Sequence, residues 1–246
     1  MIEIKNLKKS FGKKEILRGV NLQIKEGATT VIFGLSGSGK STIIKHIVGL
    51  LKPDSGTIIV DGQDVTGLEG KDLLELRKKI GFLFQSGALF DSMNVYENIA
   101  FPLREHKNLS EEEIKEEVYA ALKMVALEPE RVSKLYPDEL SGGMRKRAGL
   151  ARTIILKPQI LLYDEPTTGL DPIISDQISQ MIIKLQKEFQ ITSILISHDI
   201  KEAFKCADYA LMLYDGTIIE SGTADSFKNS ENKIVRCFLE GREIED

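Results

Sequence analysis

Tryptophan is missing from the 246 residues, and only two cysteines and three histidines occur. Cys206 and Cys237 have neither metal-ligand nor redox spacing, which excludes a disulfide framework and a zinc module and leaves two reduced thiols. No run of 18 apolar residues occurs, so no segment can cross a bilayer as a helix. The opening M-I-E-I-K-N-L alternates like a strand and lacks the basic stretch and apolar core of a secretory leader. A soluble, unsecreted chain is expected. An excess of basic residues is lacking too: 33 Lys and Arg face 37 Asp and Glu, a formal charge of −4 that speaks against a nucleic-acid partner. Lys8, Lys9, Lys13 and Lys14 gather near the start, and a solvated turn accounts for them. What is present in quantity is core-forming material, 42% of residues being hydrophobic, enough for one large α/β domain or two small ones.

The most informative stretch is Val31 to Thr42, V-I-F-G-L-S-G-S-G-K-S-T. An apolar strand breaks at Gly34, passes through a glycine-rich loop and turns into a helix at Lys40, with G-x-x-x-x-G-K-S running from Gly34 to Ser41. Gly34, Gly37 and Gly39 permit backbone conformations closed to other residues, so main-chain N-H groups, including those beside Ser36, Ser38 and Thr42, can approach phosphate oxygens. Lys40 can reach the outer phosphates, and the Ser41 hydroxyl can ligate Mg²⁺. The helix adds roughly half an elementary positive charge at its start. A nucleoside triphosphate fits this cradle.

In chain order, I-E-I-K-N-L, V-N-L-Q-I and T-I-I-V-D-G alternate with period two and predict an antiparallel sheet over residues 1–60. Phe11 lies in the turn between the first two strands and is either a minor core anchor or a ring that stacks on adenine. A polar helix, K-D-L-L-E-L-R-K-K, precedes a strand from Ile80 to Gln85, whose terminal amide is a strand-ending polar residue or a ligand group. Helical periodicity then runs from Val95 to about Lys157, with Ile114, Val118, Ala121, Leu122 and Val125 on one face and a Ser110/Glu113 capping box. The run Glu111 to Glu113 is a solvated first turn. Ser141-Gly142-Gly143 opens a long helix whose free N-H groups make a second anion site. After Pro158, the run Ile160 to Tyr163 is apolar throughout, a strand buried on both faces, and delivers Asp164 and Glu165. Asp164 directed at Mg²⁺ and Glu165 at a water offset the cost of burying paired carboxylates. The strand Ser193 to Ile196 likewise ends near His198, a structural histidine or a catalytic one. A hairpin is expected at Asp215-Gly216, then a short helix through Val235, Phe238 and Leu239 and a charged tail to Asp246.

These pieces in this order resemble the ATP-binding subunit of ABC transporters over nearly the whole chain. Gly34 to Thr42 is similar to Walker A, Gln85 to the Q-loop, Leu140 to Gly143 to the signature L-S-G-G, and Ile160 to Glu165 to Walker B with its catalytic glutamate. Gly169-Leu170-Asp171 resembles the D-loop and His198 the switch histidine. The resemblance implies an α/β fold: a RecA-like P-loop core, an antiparallel β subdomain and an inserted α-helical subdomain, within one domain of residues 1–246. The core and β subdomain would take 1–85 and 158–246, the helical subdomain 86–157. It also implies ATP and Mg²⁺ as cofactors, a head-to-tail homodimer, and a membrane permease as partner. Lys40, Gln85, Glu165 and His198 would be catalytic, and Ser41, Gln85 and Asp164 would hold the metal. Phe11, Gly34, Ser36, Gly37, Ser38, Gly39, Ser41, Thr42 and, from the opposite subunit, Ser141, Gly142, Gly143 and Asp171 would surround the nucleotide. Where the family carries Gln after the signature glycines this chain has Met144, so no side-chain role is carried over there.

A narrower likeness, to the Mla/Mce-type lipid-transport ATPases, rests on F-Q-S-G-A-L-F-D-S-M-N-V at Phe84 to Val95, P-L-R-E-H at Pro102 to His106, E-L-S-G-G-M-R-K-R-A at Glu139 to Ala148 and the late F-L-E-G. It implies phospholipid transport, accessory transport subunits, and a place at the cytoplasmic face of the inner membrane reached only through the permease.

Overall fold

A computed structural model describes residues 2–243, and the end of the charged tail expected up to Asp246 lies outside them. The alternating N-terminal segment forms a long antiparallel hairpin, β1 (Ile2–Phe11) and β2 (Lys14–Ile24), with Ile2, Ile4, Leu7, Leu17, Val20, Leu22 and Ile24 buried. Phe11 is thus the last strand residue, and the turn shrinks to Gly12 and Lys13. Next come β3 (Thr29–Phe33), α1 (Lys40–Ile47), β4 (Ser55–Val60) and the short β5 (Gln63–Asp64). The polar α2 (Gly70–Lys79) leads into β6 (Ile80–Leu83). Helices follow: α3 (Val95–His106), α4 (Glu111–Met124), α5 (Pro129–Val132), a 3-10 turn at Pro137–Glu139 and α6 (Gly142–Ile154). The second half alternates, through β7 (Ile160–Asp164), α7 (Pro172–Phe189), β8 (Thr192–Ile196) and α8 (Ile200–Cys206). It ends in β9 (Tyr209–Tyr214), β10 (Thr217–Thr223), α9 (Ala224–Lys228) and α10 (Lys233–Leu239).

Two sheets result. One has the order β2-β1-β4-β5, the other β10-β9-β3-β8-β7-β6, in which β9, β3, β8, β7 and β6 run parallel. Every residue of β3, β7 and β8 is buried because both faces are covered, which is why these strands are apolar throughout. Alternation along β3 sends Ile32 into a core shared with α1 and the antiparallel sheet. It sends Val31 and Phe33 into a second core shared with the helices on the other face. That second core joins Phe33 and Tyr163 to Ile99, Val118, Leu122, Leu150 and Ile182, so α3 to α7 pack against the parallel sheet.

The Ser110/Glu113 capping box forms as expected, and Asn94/Glu97 makes a second at the start of α3. Glu111 pairs with Arg104 on the surface. Asp215 and Gly216 both take positive φ, 44° and 74°, at the β9–β10 turn. Cys206 and Cys237 are buried and unbridged. Among the described residues no helix is long and apolar enough to cross a membrane.

Two boundaries differ from expectation. β6 stops at Leu83, because the Gly87 N-H donates to the Phe84 carbonyl at 2.8 Å and closes a turn that already contains Gln85. Helix α6 ends at Ile154, ahead of Pro158, with Lys157 in the left-handed region at φ 55°. Beside that first turn, α6 crosses the loop backbone to backbone: a Cβ added at Gly149 would stand 2.8 Å from the Gly87 carbonyl oxygen.

Candidate nucleotide-binding site

The parallel strands β3, β7 and β8 end at the same side of the sheet, and the segments leaving them build the site. After Phe33 the chain bends at Gly34, φ 153°, where a Cβ would stand 2.4 Å from the Leu213 carbonyl oxygen. Glycine is therefore required by close approach. Gly39, φ 106°, begins α1 and has no side chain with which to cap it, so the first-turn amides keep no internal acceptor. Within the loop the buried Ser38 Oγ has no hydrogen-bond partner. A hydroxyl and a set of amides left unsatisfied at a helix N-terminus fit an anion. Ser36 and Gly37 are exposed at the loop crest and Thr42 lies in the first turn of α1.

Lys40 is buried and folds back on its own loop, its Nζ donating to the Gly34 and Leu35 carbonyls at 2.8 Å each. Burial lowers its pKa, while Glu165 and Asp164 pull the other way. The Ser41 hydroxyl donates to Asp164 Oδ1 at 2.7 Å. A hydroxyl and a nearly buried carboxylate in contact are two hard oxygen ligands, a donor set suited to Mg²⁺.

One residue on, Glu165 adopts φ 52°. Its N-H donates to the Ile196 carbonyl at 2.9 Å, tying the turn to the end of β8. Its carboxylate is where separate segments converge: Gln85 Nε2 and Thr168 Oγ1 each donate to Oε2 at 3.0 Å, and His198 Nδ1 lies 3.4 Å from Oε1. Gln85, Glu165 and His198, far apart in the chain, are brought together, and Lys40, Ser41 and Asp164 stand beside them. Thr168 was not singled out by sequence reasoning, nor was Lys146, whose Nζ donates to the Glu165 carbonyl at 3.2 Å. The signal for Lys146 was legible: three residues after Gly143 and four before Leu150, it occupies the buried stripe of α6.

The remaining candidates lie elsewhere. Ser141 caps α6, its Oγ accepting from Met144 N-H at 3.3 Å, with Ser141 and Gly142 exposed and Gly143 buried. A Cβ at Gly143 would meet Ile174 Cγ2 at 2.6 Å, so the start of α6 abuts the first turn of α7. Among the described residues no hydrogen bond joins Ser141, Gly142 or Gly143 to the Gly34–Thr42 loop. Asp171, expected at the opposite subunit's nucleotide, has a role within its own chain, where Oδ1 accepts from Ile173 and Ile174 N-H at 3.0 and 3.1 Å and caps α7. Phe11 is half exposed at the hairpin tip with the Lys9 ammonium 5.7 Å from its ring centroid. The same hairpin brings Ile16 and Leu17 against Gly39, which sets it alongside the phosphate loop.

Against known proteins, the family model described as ABC transporter matches residues 17–168. The intermembrane phospholipid transport system ATP-binding protein MlaF of Haemophilus influenzae is 44% identical over 241 residues, 98% of this chain and 90% of that protein. The probable ribonucleotide transport ATP-binding protein mkl of Mycobacterium tuberculosis H37Rv is 44% identical over 243 residues, 99% of this chain and 67% of that protein. Among solved structures, a dimeric post-hydrolysis state of the ATP-binding cassette MJ0796 bound to ADP and Pi aligns with a TM-score of 0.84 at 35% identity, covering 91% of this chain and 99% of that one.

Proposed function

Because the chain belongs to the ABC transporter family and is its ATP-binding, ATP-hydrolysing subunit, we propose that it acts as a nucleotide-sandwich homodimer docked on a membrane permease to drive phospholipid transport. The carrying observation is the convergence of Gln85, Thr168 and His198 on Glu165 beside the Ser41–Asp164 pair.

In this reading the phosphates seat on the amides from Gly34 to Thr42, the Ser38 hydroxyl gains the acceptor it lacks, and Lys40 exchanges its carbonyl partners for phosphate oxygens. Phe11 stacks on the base. Ser41 and Asp164, with Gln85, would hold Mg²⁺, which neutralises charge on the β- and γ-phosphates. Glu165 orients a water and takes up its proton as the water oxygen bonds to the γ-phosphorus and the bond to the β,γ-bridging oxygen breaks, giving ADP and phosphate. His198 steadies the γ-phosphate. Ser141, Gly142 and Gly143 of a second copy close the sandwich; their exposed helix start, unbonded to the phosphate loop of its own chain, supports this, as do the dimeric cassettes among the structural relatives. Asp171, through the turn it caps, would shape the same interface. Residues 86–157 would form the helical subdomain that meets the permease, with 1–85 and 158–246 as the core.

The cargo reading rests on the likeness to MlaF, 44% identical over 98% of this chain, together with the sequence words shared with the lipid-transport ATPases. The complex would then include an integral permease and accessory transport subunits at the cytoplasmic face of the inner membrane, with no nucleic acid. Copurifying the permease and identifying what it carries decides between phospholipid and the nucleotide cargo named for mkl. For the sandwich, Glu165→Gln should bind ATP, lose turnover by on the order of 10² to 10⁴, and elute as an ATP-dependent dimer. A variant that stays monomeric with ATP and Mg²⁺, alone and on its permease, would overturn the sandwich.

A further inference from the structure

Lys40 and Lys146 are the two lysines buried among the described residues, each 6% exposed. Phosphate explains the first. Lys146 faces no phosphate loop amide; it stands in the buried stripe of α6, where an apolar side chain would pack at least as well. An ammonium in that position is favourable only if negative groups face it, and they do: its Nζ donates to the Glu165 carbonyl at 3.2 Å, and the charges of Glu165 and Asp164 oppose the lowering of its pKa by burial. Glu165 itself needs holding. A residue with a side chain at φ 52° keeps that conformation only where its neighbours fix it, and three bonds to its main chain do so here: its N-H donates to the Ile196 carbonyl, and its own carbonyl accepts from Thr168 N-H at 3.3 Å and from Lys146 Nζ.

We propose that Lys146 is a positioning residue for Glu165, clamping the turn from which the carboxylate projects and lending a resident positive charge to the Asp164–Glu165 pair, so that the helix reading one triphosphate also aligns the carboxylate serving the other. The last clause rests on the sandwich described above. Lys146 lies one turn behind Gly143 on a single helix, so a shift of the helix start on meeting phosphate is felt at the Glu165 carbonyl without any intervening loop. Sequence distance hides the pair, 19 residues apart across a helix, a loop and a strand.

Lys146→Met, Lys146→Gln and Lys146→Arg in the full chain test this by steady-state ATP turnover with Mg²⁺, alongside thermal melting. Methionine fills the space without charge, so a purely structural role predicts unchanged kcat. The positioning role predicts kcat lower by roughly tenfold to a hundredfold with KM within about twofold, and recovery of most of it in Lys146→Arg. If Lys146→Met fails to fold, Lys146→Gln takes its place, with the same drop expected. Parent kcat in the neutral variant, or a loss that arginine does not restore, overturns the proposal. Dimerisation by ATP in a Glu165→Gln background is followed separately. Its absence refutes the sandwich, whereas the kcat of the Lys146 variants reports on the clamp.

Discussion

Helices α1 and α7 begin at the same end of the same sheet, one after β3 and one after β7, and their first turns are finished in opposite ways. At α1 the cap is Gly39, which offers no acceptor, and the neighbouring Ser38 hydroxyl is buried without a partner. At α7 the cap is Asp171, whose carboxylate takes two amides at once. Both termini carry about half a positive charge; α7 neutralises its own, and α1 leaves its charge and amides for a ligand. The start of α6 falls between them, with one weakly held amide at 3.3 Å from Ser141 Oγ. A binding helix can be told from a structural one by what its cap withholds.

The comparison breaks most visibly at Lys40. Lys40→Ala should lower ATP affinity by on the order of tenfold to a hundredfold in equilibrium titration, since charge-assisted bonds to phosphate are worth roughly 1.5–3 kcal/mol. Unchanged affinity would mean that the open amides of α1 suffice. A smaller effect, on stability alone, is expected at the sealed helix. Asp171→Ala should cost about 1 kcal/mol, roughly 2–4 °C in melting temperature, with Asp171→Asn recovering most of it and ATP affinity unmoved. Weakened ATP binding at an unchanged melting temperature would assign the carboxylate to the nucleotide instead of the cap. The least change in stability, about 0.5 kcal/mol, is expected for Ser141→Ala, whose bond is long. Loss of the ATP-driven dimer in that variant would place Ser141 closer to the open helix than to the sealed one.

Much of this was legible in the sequence where a feature is local or periodic. The strands around Ile32, Leu162 and Ile194 are apolar runs because both their faces are covered, and the glycine loop before Lys40 has few other structural meanings. The Ser110/Glu113 box was readable from three residues. The sealing of α7 was written there too, as an Asp followed by Pro172 at the first helical position, but its motif drew attention to the nucleotide first. Less legible were contacts made across the fold. Gln85 looked like the end of a strand because the turn that excludes it depends on Gly87, and Thr168 and Lys146 acquire meaning only when β7 delivers Glu165 between them.

The crossing of Gly149 over Gly87 brings two stretches of bare main chain together between the signature helix and the loop that carries Gln85. Side chains pin the seam on either side, Leu83 beside Gly149 and Arg152 donating to the Ala88 carbonyl and lying over the Phe90 ring, so the helix and the loop are fastened to each other where their backbones touch. An alanine at position 149 would meet the Gly87 carbonyl oxygen and wedge the two apart.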